Sequence, residues 1–372
     1  MEIKNLKEAG ERIKKAIEKG EKIILYGDAD LDGVCSVIIL KEAILNLGKK
    51  VDAIYFPDRE IEGYGVSEQG LNFLKKLAPA LLITLDCGIS NFKEMEKAKE
   101  YGFSVIIVDH HKVLDELPKA DIIVDPKQEG DKSKFKDLAT VGIVFKLAEI
   151  LLQEKMTDAL RRNFLELVAL ATLADMMPQK DENKIMTEEG LEFMKNSWRP
   201  AFRVFGKIFN LPKEVSKIIS ILNVRDVEEN LPASYRLLTE SNPKRAEELI
   251  QTLLQKSKER KAETEKILNE IEAKNLNEEK IIFEGSPNWS LTTISAVATF
   301  LCQKYKKPVF IYKQLEKESQ GTVRAPPGID SVALMQKCKE YLISFGGHPQ
   351  ASGFRIKNEN LEKFKACLLE NL

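Results

Sequence analysis

The sequence predicts an α/β protein: an N-terminal parallel-sheet domain with a helical extension, then a long connecting helix and a smaller C-terminal α/β domain. Three observations carry this. Up to about residue 125, short aliphatic runs alternate with amphipathic stretches, the pattern of a parallel sheet covered by helices. Residues 242–274 keep helical periodicity with no glycine and with Pro243 as their single proline. From about 277 to 372, strand-like runs alternate with helices again.

Taken in order, the first aliphatic runs are 22–26, 51–56, 80–85, 104–108 and 121–124. Most are apolar at nearly every position, as strands buried on both faces must be, and in such sheets ligands bind beyond the carboxyl ends of the strands. From about 137 to 240 the strand signal fades, and helical periodicity through 138–152, 157–173 and 188–196 predicts a helical subdomain. Asn242-Pro243 then supplies the cap and first-turn residue of a helix that would extend about 45 Å at 1.5 Å per residue. Its apolar residues gather at Ala246, Leu249, Ile250, Leu253 and Leu254, and again at Ile267, Leu268 and Ile271, around an almost wholly polar stretch at 256–263. A strut docked into one domain at each end is expected. The C-terminal runs 280–283, 308–312, 321–324 and 353–356 alternate with helices near 292–304, 330–342 and 360–369. The expected domains are thus 1–240, a connecting helix at 241–275, and 276–372.

A chain of 372 residues that is 43% hydrophobic can bury sizeable cores in two or three domains. It has no apolar stretch near the ~20 residues of a membrane span, and its start, Met1-Glu2-Ile3-Lys4, lacks the basic-then-apolar order of a signal peptide. A soluble, cytoplasmic protein without a membrane partner is expected. With 57 Lys+Arg against 58 Asp+Glu there is no global basic field, so any polyanion site has to be local. Abundant Lys, Glu and Ile suit a heat-adapted protein. The cysteines, Cys35, Cys87, Cys302, Cys338 and Cys367, show no C-x-x-C spacing and read as buried, reduced thiols.

Candidate chemistry concentrates at strand ends. All three histidines, His110, His111 and His348, stand where an apolar strand or a glycine pair passes into polar sequence. The first run ends in Gly27-Asp28-Ala29-Asp30-Leu31-Asp32-Gly33, with carboxylates at alternate positions whose mutual repulsion a divalent cation relieves. A calcium-binding EF-hand loop also reads D-x-D-x-D-G, but it needs an acid at its twelfth position, here Ile39, and a helix in front. The run ending at Leu85 is followed by Asp86-Cys87-Gly88, and that ending at Val108 by Asp109-His110-His111. A lone strand-end Asp is ordinarily a cap or turn residue. Neighbouring strand ends in a parallel sheet converge, however, so three of them bearing acids or histidine make one oxygen-rich cluster. A fourth acid, Asp175, lies in the apolar stretch Leu173-Ala174-Asp175-Met176-Met177-Pro178, and such an acid is usually paired or ligating. Carboxylates favour magnesium or manganese, imidazole tilts the choice toward manganese, and a pair of such ions would activate water for attack at phosphorus. Among the aromatics, Tyr64 in Glu62-Gly63-Tyr64-Gly65 is the candidate for stacking on a base, whereas Tyr55 and Phe56 read as core.

In their order and spacing these residues resemble the DHH phosphoesterase superfamily, and within it the RecJ-like single-strand exonucleases. The D-x-D-x-D-G loop, Asp86 and Asp109-His110-His111 match its first three motifs, and Leu173-Ala174-Asp175-Met176-Met177-Pro178 the fourth. The C-terminal part is similar to the DHH-associated domain through Gly321-Thr322-Val323-Arg324 and the run from Ser344 to Gly353, which holds Gly346-Gly347-His348. The resemblance implies a metal-dependent exonuclease that degrades single-stranded DNA or RNA to 5′-mononucleotides with two manganese or magnesium ions. By position it makes Asp30, Asp32, Asp86, His110 and Asp175 metal ligands, with Asp28 and His111 as close supports or additional ligands. Asp109 becomes the carboxylate that orients an imidazole. Thr322, Arg324, Gly346, Gly347 and His348 would grip the substrate.

The sequence also departs from bacterial RecJ. It ends soon after the glycine pair, so the appended nucleic-acid-binding barrel is expected to be missing. The asparagine-rich loop before the connecting helix reads Leu222-Asn223-Val224-Arg225, and the tryptophan-histidine-proline-glycine run is replaced by Trp289-Ser290-Leu291-Thr292. Likeness to compact archaeal RecJ-like proteins implies the GINS assembly or another replisome or repair protein as a partner. A phosphodiesterase for short oligonucleotides or cyclic dinucleotides shares the same core and stays open as an alternative.

Overall fold

The computed structural model describes residues 3–59, 61–113, 116–274 and 279–372. The chain divides into two compact units, Met1–Leu254 and Gln255–Leu372. The expected boundary at 275/276 lies outside the described residues, as do Met1 and Glu2 of the N-terminal start.

The first unit holds a five-stranded sheet of β1 (Ile23–Gly27), β2 (Ala53–Tyr55), β3 (Ala80–Leu85), β4 (Phe103–Val108) and β5 (Ile122–Val124) in the order β2-β1-β3-β4-β5. Every pairing is parallel. The aliphatic runs are explained by the two faces. Ile23, Leu25, Leu81, Ile83, Ile106 and Val108 pack into one core with α1 (Leu6–Glu18), α2 (Leu31–Asn46) and α5 (Thr140–Leu152). The alternate residues Ile24, Tyr26, Leu82, Val105 and Ile107 pack into another with α3 (Glu68–Leu74) and α4 (Phe92–Glu100). A strand covered on both sides is apolar at nearly every position. The chain leaves β1 for one edge and returns to β3 on the other side, so the topological switch point falls between β1 and β3, where ligands bind in doubly wound sheets.

The remainder of this unit is helical: α6 (Asp158–Ala174), α7 (Asp181–Met194), α8 (Pro200–Ile208), α9 (Val215–Leu222) and α10 (Ala233–Thr239), with a small ribbon of β6 (Val227–Glu228) and β7 (Leu231–Pro232). Arg199, only 1% exposed, ties these helices together. Its guanidinium donates to both oxygens of Glu42 on α2 at 2.9 Å, to Asn163 Oδ1 on α6 at 2.7 Å and to the Leu238 carbonyl on α10 at 2.8 Å.

Helix α11 (Pro243–Glu272) follows. Ala246, Ile250 and Leu253 belong to the core of the first unit, with Leu249 and Leu254 half-buried against it, and Ile267 and Ile271 belong to a core of the second, with Leu268 half-buried against that.

The second unit is built on β8 (Ile282–Ser286), β9 (Val309–Gln314), β10 (Glu318–Arg324), β11 (Leu342–His348) and β12 (Ala351–Lys357), ordered β11-β12-β10-β9-β8. Only β8–β9 is parallel. Helix α12 (Leu291–Tyr305) covers one face, and α13 (Ser331–Lys337) and α14 (Leu361–Glu370) the other. That shared face corrects the cysteine expectation. Cys338 and Cys367 meet between α13 and α14 and form a disulfide, whereas Cys35, Cys87 and Cys302 are buried and free. A separation of 29 residues carries no hint of that meeting; the packing of two helices on one sheet face produces it.

Candidate metal centre

Each acid is positioned by an element end. Asp28 follows β1, and Asp30 caps α2, its Oδ1 accepting from the backbone N–H groups of Asp32 at 3.0 Å and Gly33 at 3.1 Å. Gly33 permits the tight reversal, since a Cβ there would lie 2.3 Å from the Asp28 carbonyl oxygen. Asp32, buried in the first turn of α2, accepts from the first N–H groups of α5: Thr140 N to Oδ2 and Val141 N to Oδ1, both 2.8 Å. The positive end of α5 therefore faces the acids. Asp86 leaves β3 with φ of 63° and accepts from Thr140 Oγ1 at 3.1 Å. Asp109, His110 and His111 leave β4, and Asp175 terminates α6.

These ends converge at the switch point. His110 Nε2 stands 3.4 Å from Asp175 Oδ2, 3.5 Å from Asp86 Oδ1 and 3.8 Å from Asp32 Oδ2. Among the described residues of this unit, three groups could each hold a cation: Asp28, Asp30 and Asp86; Asp32, His110 and Asp175; and Asp86, Asp109 and His111, the first and last sharing Asp86, with ligand atoms within 4.8 Å of one another in each. Ligands of a single octahedral ion sit about 3 Å apart for bonds of 2.0–2.1 Å, close to the spacing around His110. The donors fit a hard or borderline ion such as manganese or magnesium. Among the described residues, buried Asp175 Oδ2 accepts no hydrogen bond, which leaves a lone pair for such an ion.

Electrostatics agree. Burial, then the neighbouring carboxylates Asp175 and Asp30, push Asp32 well above its ordinary value. Burial, then Asp32, Asp30 and Asp28, do the same to Asp86, and burial with Asp30 raises Asp175 to about 7. A cluster this crowded needs positive charge. Asp109 behaves differently: against the cost of burial, His111 keeps it ionised well below the carboxylate range. His111 Nδ1 donates to Asp109 Oδ1 at 2.8 Å, and although burial opposes its charge, Asp109 lifts His111 to about 9. Asp109, the carboxylate expected to orient an imidazole, is thus hydrogen-bonded to His111.

The sequence reading missed several groups. Arg59 enters the cluster from the loop after β2, donating to Asp28 and Asp30. Lys127 Nζ donates to the His110 carbonyl. Asp125, immediately after β5, is raised to about 7 by burial and then by Asp109. The strand-end rule would have found Asp125 and, applied to cations, Arg59. Nothing local marks the α5 N-terminus.

In the second unit the expected substrate residues also gather. Arg324 ends β10 and His348 ends β11, each in register with Ala351 of the intervening β12. Arg324 donates to Thr322 Oγ1 at 2.9 Å and to Thr299 Oγ1 at 3.1 Å. Gly347 has φ of 128°, and a Cβ there would lie 2.7 Å from the Ala351 carbonyl oxygen, whereas Gly346 is open.

A 2-1-3-4-5 parallel sheet with acids and an Asp-His-His run at its strand ends, followed in the chain by a second, mixed sheet, defines a two-domain α/β protein with a candidate metal centre in its first domain. Residues 22–172 match the N-terminal domain of the DHH family, and residues 278–372 match the DHHA1 domain. The chain thus carries a DHH family N-terminal domain followed by a DHHA1 domain, and along its length it is similar to RecJ. It is 36% identical to the single-stranded-DNA-specific exonuclease RecJ of Bacillus subtilis, over 99% of this chain and 48% of that protein. The crystal structure of RecJ in complex with manganese from Thermus thermophilus is similar with a TM-score of 0.85 at 25% identity, covering 99% of this chain and 54% of that one. That of an exonuclease RecJ bound to manganese gives 0.82 at 26% identity, covering 99% and 94%. The chain spans about half the length of the curated relatives it matches, 48% and 54% of the first two. Among the described residues, no helix is long and apolar enough to cross a membrane.

Proposed function

We propose that this chain is a metal-dependent exonuclease that hydrolyses single-stranded DNA or RNA to 5′-mononucleotides. In this reading residues 1–240 form the catalytic domain, with the helical subdomain at about 137–240, residues 241–275 the connecting helix, and 276–372 the substrate-binding domain. The observation that carries it is the cluster at the switch point, in which Asp86 belongs to two cation-holding groups. Asp28, Asp30, Asp32, Asp86, His110 and Asp175 would hold two manganese or magnesium ions, which when bound lower the pKa of a water and neutralise charge at the scissile phosphate.

The protein's own part is preorganisation. Backbone N–H groups fix Asp30 and Asp32, so their carboxylates need not reorganise when charge develops. Asp109 keeps a proton on His111 Nδ1 and sets the ring's orientation. Thr322, Arg324, Gly346, Gly347 and His348 hold a substrate phosphate. Its RecJ relatives are single-stranded-DNA-specific exonucleases, which supports that substrate class.

The test is digestion of a thirty-nucleotide strand, as DNA and as RNA, labelled at either end, with manganese, magnesium or chelator. Metal-dependent release of mononucleotides from one end, lost in Asp86→Asn, is expected. No degradation by folded protein under either metal would sink the reading in favour of a phosphodiesterase for short oligonucleotides or cyclic dinucleotides.

A further inference from the structure

The loop between β2 and α3 brings a cation into the acid cluster. Arg59 Nε donates to Asp28 Oδ1 at 2.9 Å, and its Nη2 donates both to Asp28 Oδ2 at 2.6 Å and to Asp30 Oδ2 at 2.8 Å. One nitrogen therefore bridges the two carboxylate oxygens that point into the site. The other oxygens are committed to backbone, Asp28 Oδ1 to Ala29 N at 2.7 Å and Asp30 Oδ1 to Asp32 N and Gly33 N. Oδ2 of each acid accepts from Arg59 instead, so the arginine lies against both carboxylates of a group that could hold a cation.

The loop is built to keep the arginine there. Glu62 accepts from Asp58 N at 2.8 Å and from the Tyr55 hydroxyl at 2.9 Å, as well as from Ser67 Oγ. Asn91 accepts from Val66 N at 3.1 Å and donates to the Val66 carbonyl at 3.2 Å. Arg59 also lies over the ring of Tyr64, 4.8 Å from its centre, and Tyr64 is an exposed residue. A guanidinium pushed out of the cluster keeps a surface to rest on.

We propose that Arg59 stands in for the divalent ion shared by Asp28 and Asp30, must be displaced before that ion loads, and so sets the metal affinity of the site. The inference rests on the metal-binding part of the proposed function. Losing Arg59 removes a competitor and leaves two carboxylates without a counter-charge, both of which favour the ion. Arg59→Lys keeps the charge but loses the fork that reaches two acids at once.

Manganese titrations of the full chain by calorimetry, with free manganese followed by electron paramagnetic resonance, test this in wild type, Arg59→Gln and Arg59→Lys, each first checked for folding by circular dichroism. Arg59→Gln should bind manganese about tenfold more tightly than wild type, with Arg59→Lys in between. Equal or weaker binding by Arg59→Gln overturns the proposal while leaving the metal reading intact. Should Arg59→Gln misfold, Arg59→Lys carries the test: affinity no better than wild type overturns the proposal. Absence of binding by wild type and variants alike overturns both.

Discussion

Gly33→Ala tests whether the acid loop depends on backbone contact. A Cβ at Gly33 would lie 2.3 Å from the Asp28 carbonyl oxygen, 2.6 Å from its nitrogen and 2.8 Å from its carbonyl carbon. Ordinary contact begins at 3.4 Å, so the two segments must part by about 1 Å. No side chain can yield, because every atom met is backbone. Asp28 N is also committed, donating to the Leu85 carbonyl at 3.1 Å across the switch point. Overpacking of this kind costs about 1–3 kcal/mol, and a misplacement near 1 Å costs roughly 100-fold in rate. Urea denaturation and metal-dependent digestion measure the two effects. Gly206→Ala is the opposite-sign control: Gly206 lies within α8, and its Cβ would meet nothing nearer than 4.0 Å. Alanine there should stabilise the protein by about 0.5–1 kcal/mol. A Gly33→Ala protein as stable and as active as wild type would refute the reasoning.

Other consequences are equally direct. Replacing Arg199 by Met strips donors from Glu42, Asn163 and the Leu238 carbonyl and should cost about 3–5 kcal/mol in denaturant unfolding; a loss no larger than that of an ordinary surface substitution would contradict the role given to this network. Glu166, 3% exposed, is raised by burial from an ordinary 4.5 to about 7, against the pull of Ser197 and Arg199. A raised carboxyl contributes stability that is full below pH 4.5 and lost as pH rises through about 7. Glu166→Gln should therefore match wild type near pH 4 and exceed it by up to ~3 kcal/mol at pH 8, and a pH-independent difference would count against this. In chelator, Asp86→Asn should be more stable than wild type by on the order of 1 kcal/mol, because it relieves a buried charge among like charges. Manganese should reverse that ranking in thermal melts by stabilising wild type alone; a metal-free variant less stable than wild type would argue against repulsion in the cluster.

Much of the fold was legible in the sequence. Strands β1, β3 and β4 are apolar at nearly every position because both faces of the sheet are covered, and that requirement acts residue by residue. Asp28, Asp30, Asp32, Asp86, Asp109 and His110 could be singled out because they lie within five residues of the end of such a strand. Helix α11 could be read because its two apolar groups each enter a core.

Strand order, register and helix docking decided the rest. Asp32 receives its backbone donors from residues 108 and 109 positions away, and Asp28 meets Arg59 across 31. Cys338 finds Cys367 across 29. Periodicity and strand-end chemistry are local, set by which face of an element is buried. Which acid faces which helix end or counter-ion depends on β1 lying between β2 and β3, a placement fixed by packing among distant segments.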